Sequence, residues 1–266
     1  MLVRARVGLE AIGAMFEQAN TAGRAAFLPY YPVGYPTYTD SLDAIGGMAA
    51  AGADGFEIGI PFSDPLADGP TIQAAAQKAL ENGVTTSDCL RAVRELRQRG
   101  VIQPMLLMGY LNPLLAYGLE RFVSDARAAG ADGLIVPDMP PDEADLLIGL
   151  CRDAGLALVF LVAPNSSDTR IALAAARATG FVYLVSVTGI TGARAELPPD
   201  VPEFVARVRA QTDHKLVMGF GISTPDQARM MNRLTDGFIV GSALVRAAER
   251  GPEAAVELAR RLRAAL

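Results

Sequence analysis

Ala51-Gly52-Ala53-Asp54-Gly55 and Ala129-Gly130-Ala131-Asp132-Gly133 are one five-residue phrase used twice. Each copy stands between an amphipathic stretch and a short apolar run. Glycine at 52 and at 130 fits the left-handed residue that stops a helix. The Asp-Gly that follows leads straight into the apolar run. Thr235-Asp236-Gly237 is a looser third copy. Helix–glycine–strand joints that recur in this way are the joints of repeated β/α units.

Working outward from these joints, the chain holds eight apolar runs: Ala26–Tyr31, Gly55–Ile60, Met105–Tyr110, Gly133–Val136, Ala157–Val162, Phe181–Val185, Leu216–Phe220 and Gly237–Val240. They are nearly continuous rather than alternating, as strands buried on both faces must be. Between them, Leu90–Arg99, Leu119–Ala129, Glu143–Ala154 and Pro225–Leu234 carry apolar residues at helical spacing, with Arg, Asp or Glu on the other face. Leu9, Ile12, Phe16 and Ala19 mark an amphipathic helix ahead of the first strand. The expectation is an α/β fold: a single (β/α)8 barrel over residues 1–266 with an N-terminal amphipathic helix. An open doubly wound sheet is the alternative.

Composition narrows the chemistry. The chain has 266 residues, close to the roughly 250 of one such barrel. Its formal net charge is −5 and it has no long basic run, so nucleic acid is not an expected partner. One histidine, His214, cannot build a multi-histidine zinc site. The only lysines are Lys78 and Lys215, so a Schiff base would have to use one of them. Lys78 falls in a helix, and His214 and Lys215 precede the seventh strand, away from a barrel's active face. Cys89 and Cys151 both fall in helices, read as buried small residues, and allow no disulfide framework. There is no run long enough to span a membrane and no clean leader segment, so a reducing cytoplasm is the expected location.

In a barrel, chemistry sits at the C-terminal ends of the strands. Three features fall there. Glu57 lies inside the second strand between apolar Phe56 and Ile58, so it points either into the barrel or toward the helix layer. Burial would raise its pKa and suit it to proton transfer; a structural ion pair with an arginine is the other reading. Asp64 and Asp68 lie in the long loop that follows, with prolines at 61, 65 and 70. They read either as turn residues or as part of a functional lid. Second, Gly189-Ile190-Thr191-Gly192, Gly219–Ser223 and Gly241-Ser242-Ala243 follow the sixth, seventh and eighth strands. Small residues beside a helix N-terminus suit a phosphate, although each cluster alone could be tight-turn chemistry. Third, Met108, Tyr110, Leu161, Tyr183 and Phe220 form an apolar lining at strand ends, or simply part of the core. With neither an available lysine nor a metal site, a C–C cleavage would need a substrate that carries its own electron sink. Isomerisation by paired carboxylates would also fit.

Residues 57–73, EIGIPFSDPLADGPTIQ, resemble the signature of the tryptophan synthase α-subunit family. The likeness extends to Pro29 and Gly34, Tyr110-Leu111-Asn112-Pro113, Val136-Pro137-Asp138, Ala163-Pro164-Asn165 and the glycine clusters. The resemblance implies a (β/α)8 barrel that cleaves indole-3-glycerol phosphate to indole and glyceraldehyde-3-phosphate. It implies that Glu57 and Asp68 are catalytic, Glu57 moving protons and Asp68 stabilising positive charge at the indole N–H. Thr191 matches the loop threonine that positions the aspartate. Gly192, Gly221, Gly241 and Ser242 match phosphate-binding positions, and Tyr30, Tyr110, Ile135, Leu161, Tyr183 and Phe220 match the indole pocket. It also implies an αββα heterotetramer. The β-subunit would carry pyridoxal phosphate and this chain no cofactor, with the loops around Ser63–Gly69 and Asn112-Pro113 meeting the partner. Pro32 stands where many members have threonine, and Val187 where some have arginine; both bear on loop closure. A stand-alone lyase and a non-catalytic ligand-binding activator are the alternatives, with a phosphosugar isomerase more distant.

Overall fold

Eight parallel strands close into a barrel in sequence order, β1-β2-β3-β4-β5-β6-β7-β8. The structure is a computed structural model that describes residues 6–185, 200–219 and 221–266. The strands are β1 (Ala26–Pro32), β2 (Phe56–Gly59), β3 (Met105–Met108), β4 (Gly133–Ile135), β5 (Ala157–Val162), β6 (Phe181–Val185), β7 (Lys215–Gly219) and β8 (Gly237–Val240). The last strand pairs with the first, Phe27 opposite Phe238, so the sheet has no free edge. The helices of the described residues are α1 (Leu9–Thr21), α2 (Tyr38–Ala50), α3 (Pro70–Glu81), α4 (Thr86–Gln98), α5 (Leu111–Tyr117), α6 (Leu119–Ala129), α7 (Asp145–Ala154), α8 (Asp168–Arg177), α9 (Val201–Arg209), α10 (Pro225–Leu234), α11 (Ser242–Ala247) and α12 (Pro252–Arg263). None is long and apolar enough to cross a membrane.

Strand alternation divides the core in two. Leu28, Tyr30, Leu106, Met108, Ile135, Val159, Tyr183, Val217 and Ile239 belong to the inner cluster. Phe27, Phe56, Ile58, Leu107, Phe160, Val182 and Met218 belong to the layer that packs with the helices. The amphipathic α1 joins the inner cluster through Ile12, Met15, Phe16 and Ala19, and so closes the barrel's N-terminal end. Glycine makes room for it: a Cβ on Gly55 would lie 2.7 Å from Met15 Sδ.

The five-residue phrase does more than end a helix. Gly52 and Gly130 do take positive φ, 96° and 99°. The aspartate after each then binds the start of the preceding strand. Asp54 accepts the Phe27 N–H at 2.9 Å, Asp132 the Met105 N–H at 2.9 Å and Asp236 the Leu216 N–H at 2.9 Å. Each also pairs with a cation: Arg24 at 2.6 Å, Arg97 at 2.8 Å, and Arg209 at 2.7 Å with Lys215 at 3.2 Å. Asp132 in addition accepts the Gly8 N–H at 2.7 Å, which fastens α1 to the barrel floor.

Differences from the sequence reading are local. Lys215 is the first residue of β7 rather than a residue before it, because its backbone already pairs with Phe181 while its ammonium reaches Asp236. Ile60, Tyr110 and Val136 fall just past their strands, where the backbone turns out of the ladder. The stretch Glu143–Ala154 is α7 preceded by a separate 3₁₀ turn, Pro141–Glu143, since Pro140-Pro141 cannot continue a helix backward.

Candidate active site

β2 carries Glu57 inward, in register with Tyr30 on β1 and Leu106 on β3. Its neighbours Phe56 and Ile58 face the helices. The carboxyl is only 3% exposed. The described residues place no arginine or lysine against it, so the structural ion pair is not what holds it. The Tyr183 hydroxyl on β6 lies 3.4 Å from Glu57 Oε2 and donates to it. Burial pushes the Glu57 pKa up to about 8, the Asp68 charge pushes the same way, and the Tyr183 hydrogen bond opposes both.

Asp68 reaches the same chamber from the loop between β2 and α3. Backbone turns fold this loop back on itself: Leu66 N–H donates to the Asp64 carbonyl and Asp68 N–H to the Pro65 carbonyl, both at 3.0 Å. Gln73 on α3 donates to the Asp68 carbonyl at 2.7 Å. The carboxylate accepts from the Tyr110 hydroxyl at 3.1 Å. Burial raises the Asp68 pKa to about 6 and Tyr110 holds it from rising further. Asp64 is different: it is exposed, and accepts from the neighbouring Ser63 hydroxyl at 2.5 Å. It is a turn residue.

Three tyrosines surround the carboxylates. Tyr30 and Tyr183 have phenol pKa values well above the ordinary, first by burial and then by the charges of Glu57 and Asp68. Both hydroxyls are therefore protonated donors. Their rings fill space that glycines leave open. A Cβ on Gly219 would lie 2.2 Å from the Tyr183 ring, one on Gly59 2.5 Å from the Tyr30 hydroxyl, and one on Gly241 3.1 Å from the Tyr30 ring. Ile135 on β4 and the half-buried Leu161 on β5 join Tyr30, Met108 and Tyr183 in the same apolar cluster. Tyr30, Ile135, Leu161 and Tyr183, expected to line one pocket, thus share one cluster, while Tyr110 lies outside it, beside Asp68.

The glycine clusters resolve unequally. Gly241 caps α11, whose first residue is Ser242, so the first-turn N–H groups of that helix have no intrahelical acceptor. Gly221, just past β7, has φ 30°. Beyond it, Ser223 and Thr224 N–H groups are already engaged by Gln227 Oε1 at 2.8 and 3.2 Å, in the capping box of α10. Among the described residues, α11 offers first-turn N–H groups of this kind. Thr191, Gly192, Phe220 and Val187 lie outside the described residues. Pro32 ends β1.

The remaining candidates are placed away from this chamber. Lys78 sits on α3, and Cys89 and Cys151 are buried in α4 and α7. No cluster of potential metal ligands occurs among the described residues. One role was not legible in the sequence: Asp138, quoted there only for the likeness, accepts the Leu111 N–H at 2.9 Å and so caps α5 directly after Tyr110.

Two carboxyl groups with raised pKa values, three protonated phenols, an apolar slot and a helix N-terminus at β8 converge at one end of the barrel. Comparisons with known proteins bear on the chain as a whole. A profile of the family described as "Tryptophan synthase alpha chain" matches residues 16–265. The tryptophan synthase alpha chain of Chloroflexus aurantiacus is 51% identical over 241 residues, covering 91% of each chain. That of Gluconacetobacter diazotrophicus is 47% identical, covering 88% of this chain and 85% of its own. A solved Mycobacterium tuberculosis tryptophan synthase superposes with a TM-score of 0.91 at 38% identity, over 98% of both chains. On these grounds the chain belongs to the tryptophan synthase alpha chain family.

Proposed function

We propose that this chamber cleaves indole-3-glycerol phosphate into indole and glyceraldehyde-3-phosphate. The carrying observation is Glu57: an inward-facing carboxyl, buried with no cation against it among the described residues, whose pKa of about 8 keeps it protonated at neutral pH beside an Asp68 that is ionised. Two carboxyls held in opposite states suit acid–base work.

The chemistry follows from that split. Glu57, protonated, gives its proton to the indole carbon that bears the glycerol chain. The ring then carries positive charge at its nitrogen, where the Asp68 carboxylate stabilises it. Glu57, now a carboxylate, takes the proton of the adjacent glycerol hydroxyl. The C–C bond breaks, its electrons return to the ring, and the hydroxyl carbon becomes the aldehyde. Protons and electrons balance with no cofactor in this chain. Tyr30, Tyr110, Ile135, Leu161, Tyr183 and Phe220 would enclose the indole. Gly192, Gly221, Gly241 and Ser242 would hold the phosphate, largely through N–H groups and the α11 dipole. Thr191 would position Asp68 from the loop after β6.

The partner we propose is a tryptophan synthase β-subunit in an αββα assembly in the cytoplasm, with pyridoxal phosphate held by the β-subunit. The Ser63–Gly69 loop would meet it; Leu66, 94% exposed at the tip, is the apolar group this loop offers. Glu57→Gln tests the mechanism. Turnover should fall by roughly 10²–10⁴-fold, the usual contribution of a positioned acid–base group, while ligand binding persists. Unchanged turnover would remove Glu57 from the chemistry.

A further inference from the structure

Tyr110 reads as apolar lining in the sequence, yet its hydroxyl makes two hydrogen bonds. It accepts the Ala67 N–H at 2.9 Å and donates to Asp68 Oδ2 at 3.1 Å. One oxygen therefore ties both the backbone and the carboxylate of the loop after β2 to the end of β3. The ring is itself fixed. It is 3% exposed and lies 5.4 Å from the Phe62 ring, at the root of the same loop. Its backbone is held from two sides: Gly109 N–H donates to the Ile135 carbonyl at 3.1 Å, and Asp138 caps Leu111 on the other flank. The loops after β2, β3 and β4 are thereby joined in a line that ends at Asp68.

We propose that Tyr110 is a positioning residue that holds Asp68 in its charged form and in place, through a hydroxyl that clamps the Ala67–Asp68 backbone and carboxylate together. The proposal rests on the reading of Asp68 as the group that meets the indole N–H. The physical reason is an opposition of two effects. Burial favours the neutral carboxyl, and the phenol hydrogen bond favours the carboxylate. Tyr110 can do this because its own proton is held tightly: burial, then the Asp68 charge, put its pKa far above the ordinary phenol range. The charged and titratable groups that face this pair are Glu57 on β2, Tyr30 on β1, Tyr183 on β6 and Asp138 after β4. All are acidic types, and among the described residues Tyr110 is the one whose hydroxyl is hydrogen-bonded to the Asp68 carboxylate.

Tyr110→Phe removes only the hydroxyl and keeps the ring on Phe62. Two readouts separate the proposal from the function it rests on. The first needs no activity: the Asp68 carboxyl is titrated by carbon-detected NMR in the full chain, and amide exchange at Ala67 is followed. The variant should show a higher Asp68 pKa and faster Ala67 exchange. The second is the pH profile of indole-3-glycerol phosphate cleavage. Turnover at neutral pH should fall roughly tenfold, the effect of one hydrogen bond to a charged group, and the acidic limb should move to higher pH. The variant-to-wild-type ratio should rise with pH in Tyr110→Phe and not in Asp68→Asn, since the alkaline limb set by Glu57 is common to all three. An unchanged Asp68 titration and unchanged exchange at Ala67 would overturn the clamp even if the chain is a lyase. A wild-type chain that cleaves nothing would overturn the lyase reading and leave the NMR result to decide the clamp.

Discussion

Glu57 gives the clearest case of a residue that costs the fold something for the sake of chemistry. Its carboxyl is buried with no cation against it among the described residues, and its pKa of about 8 lies above that of the unfolded chain. The sign of the consequence is fixed. Below the unfolded value Glu57 is neutral in both states and costs nothing as a charge. Between that value and about 8 the folded state keeps the proton while the unfolded state loses it. Stability therefore falls as pH rises through this window. Glu57→Gln, neutral at every pH, should be more stable than the wild type at pH 8, by about 2–4 kcal/mol, and of similar stability at pH 4. Denaturant titrations at the two pH values check this. The kinetic counterpart is a bell-shaped kcat/KM, with an acidic limb near 6 from Asp68 and an alkaline limb near 8 from Glu57. Glu57 was legible in the sequence because a carboxylate inside an apolar run is conspicuous. The hydroxyl of Tyr110 was not. An aromatic residue at a strand end gives no sign of which way its polar tip points, and its partners come from a loop more than forty positions earlier in the chain.

At the scale of elements, the aspartates of the repeated joints carry more than their turn chemistry suggested. The sequence shows the helix stop at Gly52 and Gly130 and the strand that follows. It does not show that Asp54, Asp132 and Asp236 reach across to the preceding strand, because that partner is set only when the barrel closes. Asp132 is the most heavily used, with two backbone donors, Arg97, and no exposure. Asp132→Ala would strand the buried N–H groups of Gly8 and Met105 and leave Arg97 without this partner. Loss of about 3–5 kcal/mol is expected, as for breaking a buried pair, measurable by chemical denaturation. Gly8 is the other half of this fastening. Its φ is 60°, and a Cβ there would lie 2.0 Å from the Gly155 carbonyl oxygen. Gly8→Ala should therefore loosen α1 from the barrel floor, seen as faster amide exchange along α1, with the site at the opposite end of the barrel little changed. The strands themselves were legible because burial on both faces makes them continuous apolar runs. α5 and the 3₁₀ turn at Pro141 were not, since Leu111–Tyr117 is too short to show helical periodicity and begins at a cap supplied by Asp138, from the next loop.

For the molecule as a whole, the two ends of the barrel divide the work. The N-terminal end is closed by α1 and by three aspartate clamps, with their charges paired and their N–H donors satisfied. The C-terminal end carries two carboxyls with no cation against them among the described residues, a long proline-rich loop and the exposed Leu66. Most of the fastening thus sits at one end and the chemistry at the other, with Glu57 the residue at which stability and function trade against each other. The barrel and the placement of Glu57 follow from pattern and burial. The substrate follows from the resemblance of residues 57–73, because a slot of aliphatic and phenolic side chains beside a helix N-terminus fits many flat phosphorylated ligands. The measurement that bears most directly on the account is indole release from indole-3-glycerol phosphate by the purified chain, alone and with a tryptophan synthase β-subunit from the same source. The account predicts slow release by the chain alone and a sharp rise when the partner is added. No release in either case, with a phosphate ligand still bound, would contradict it and leave a binding protein whose Glu57 and Asp68 do no chemistry.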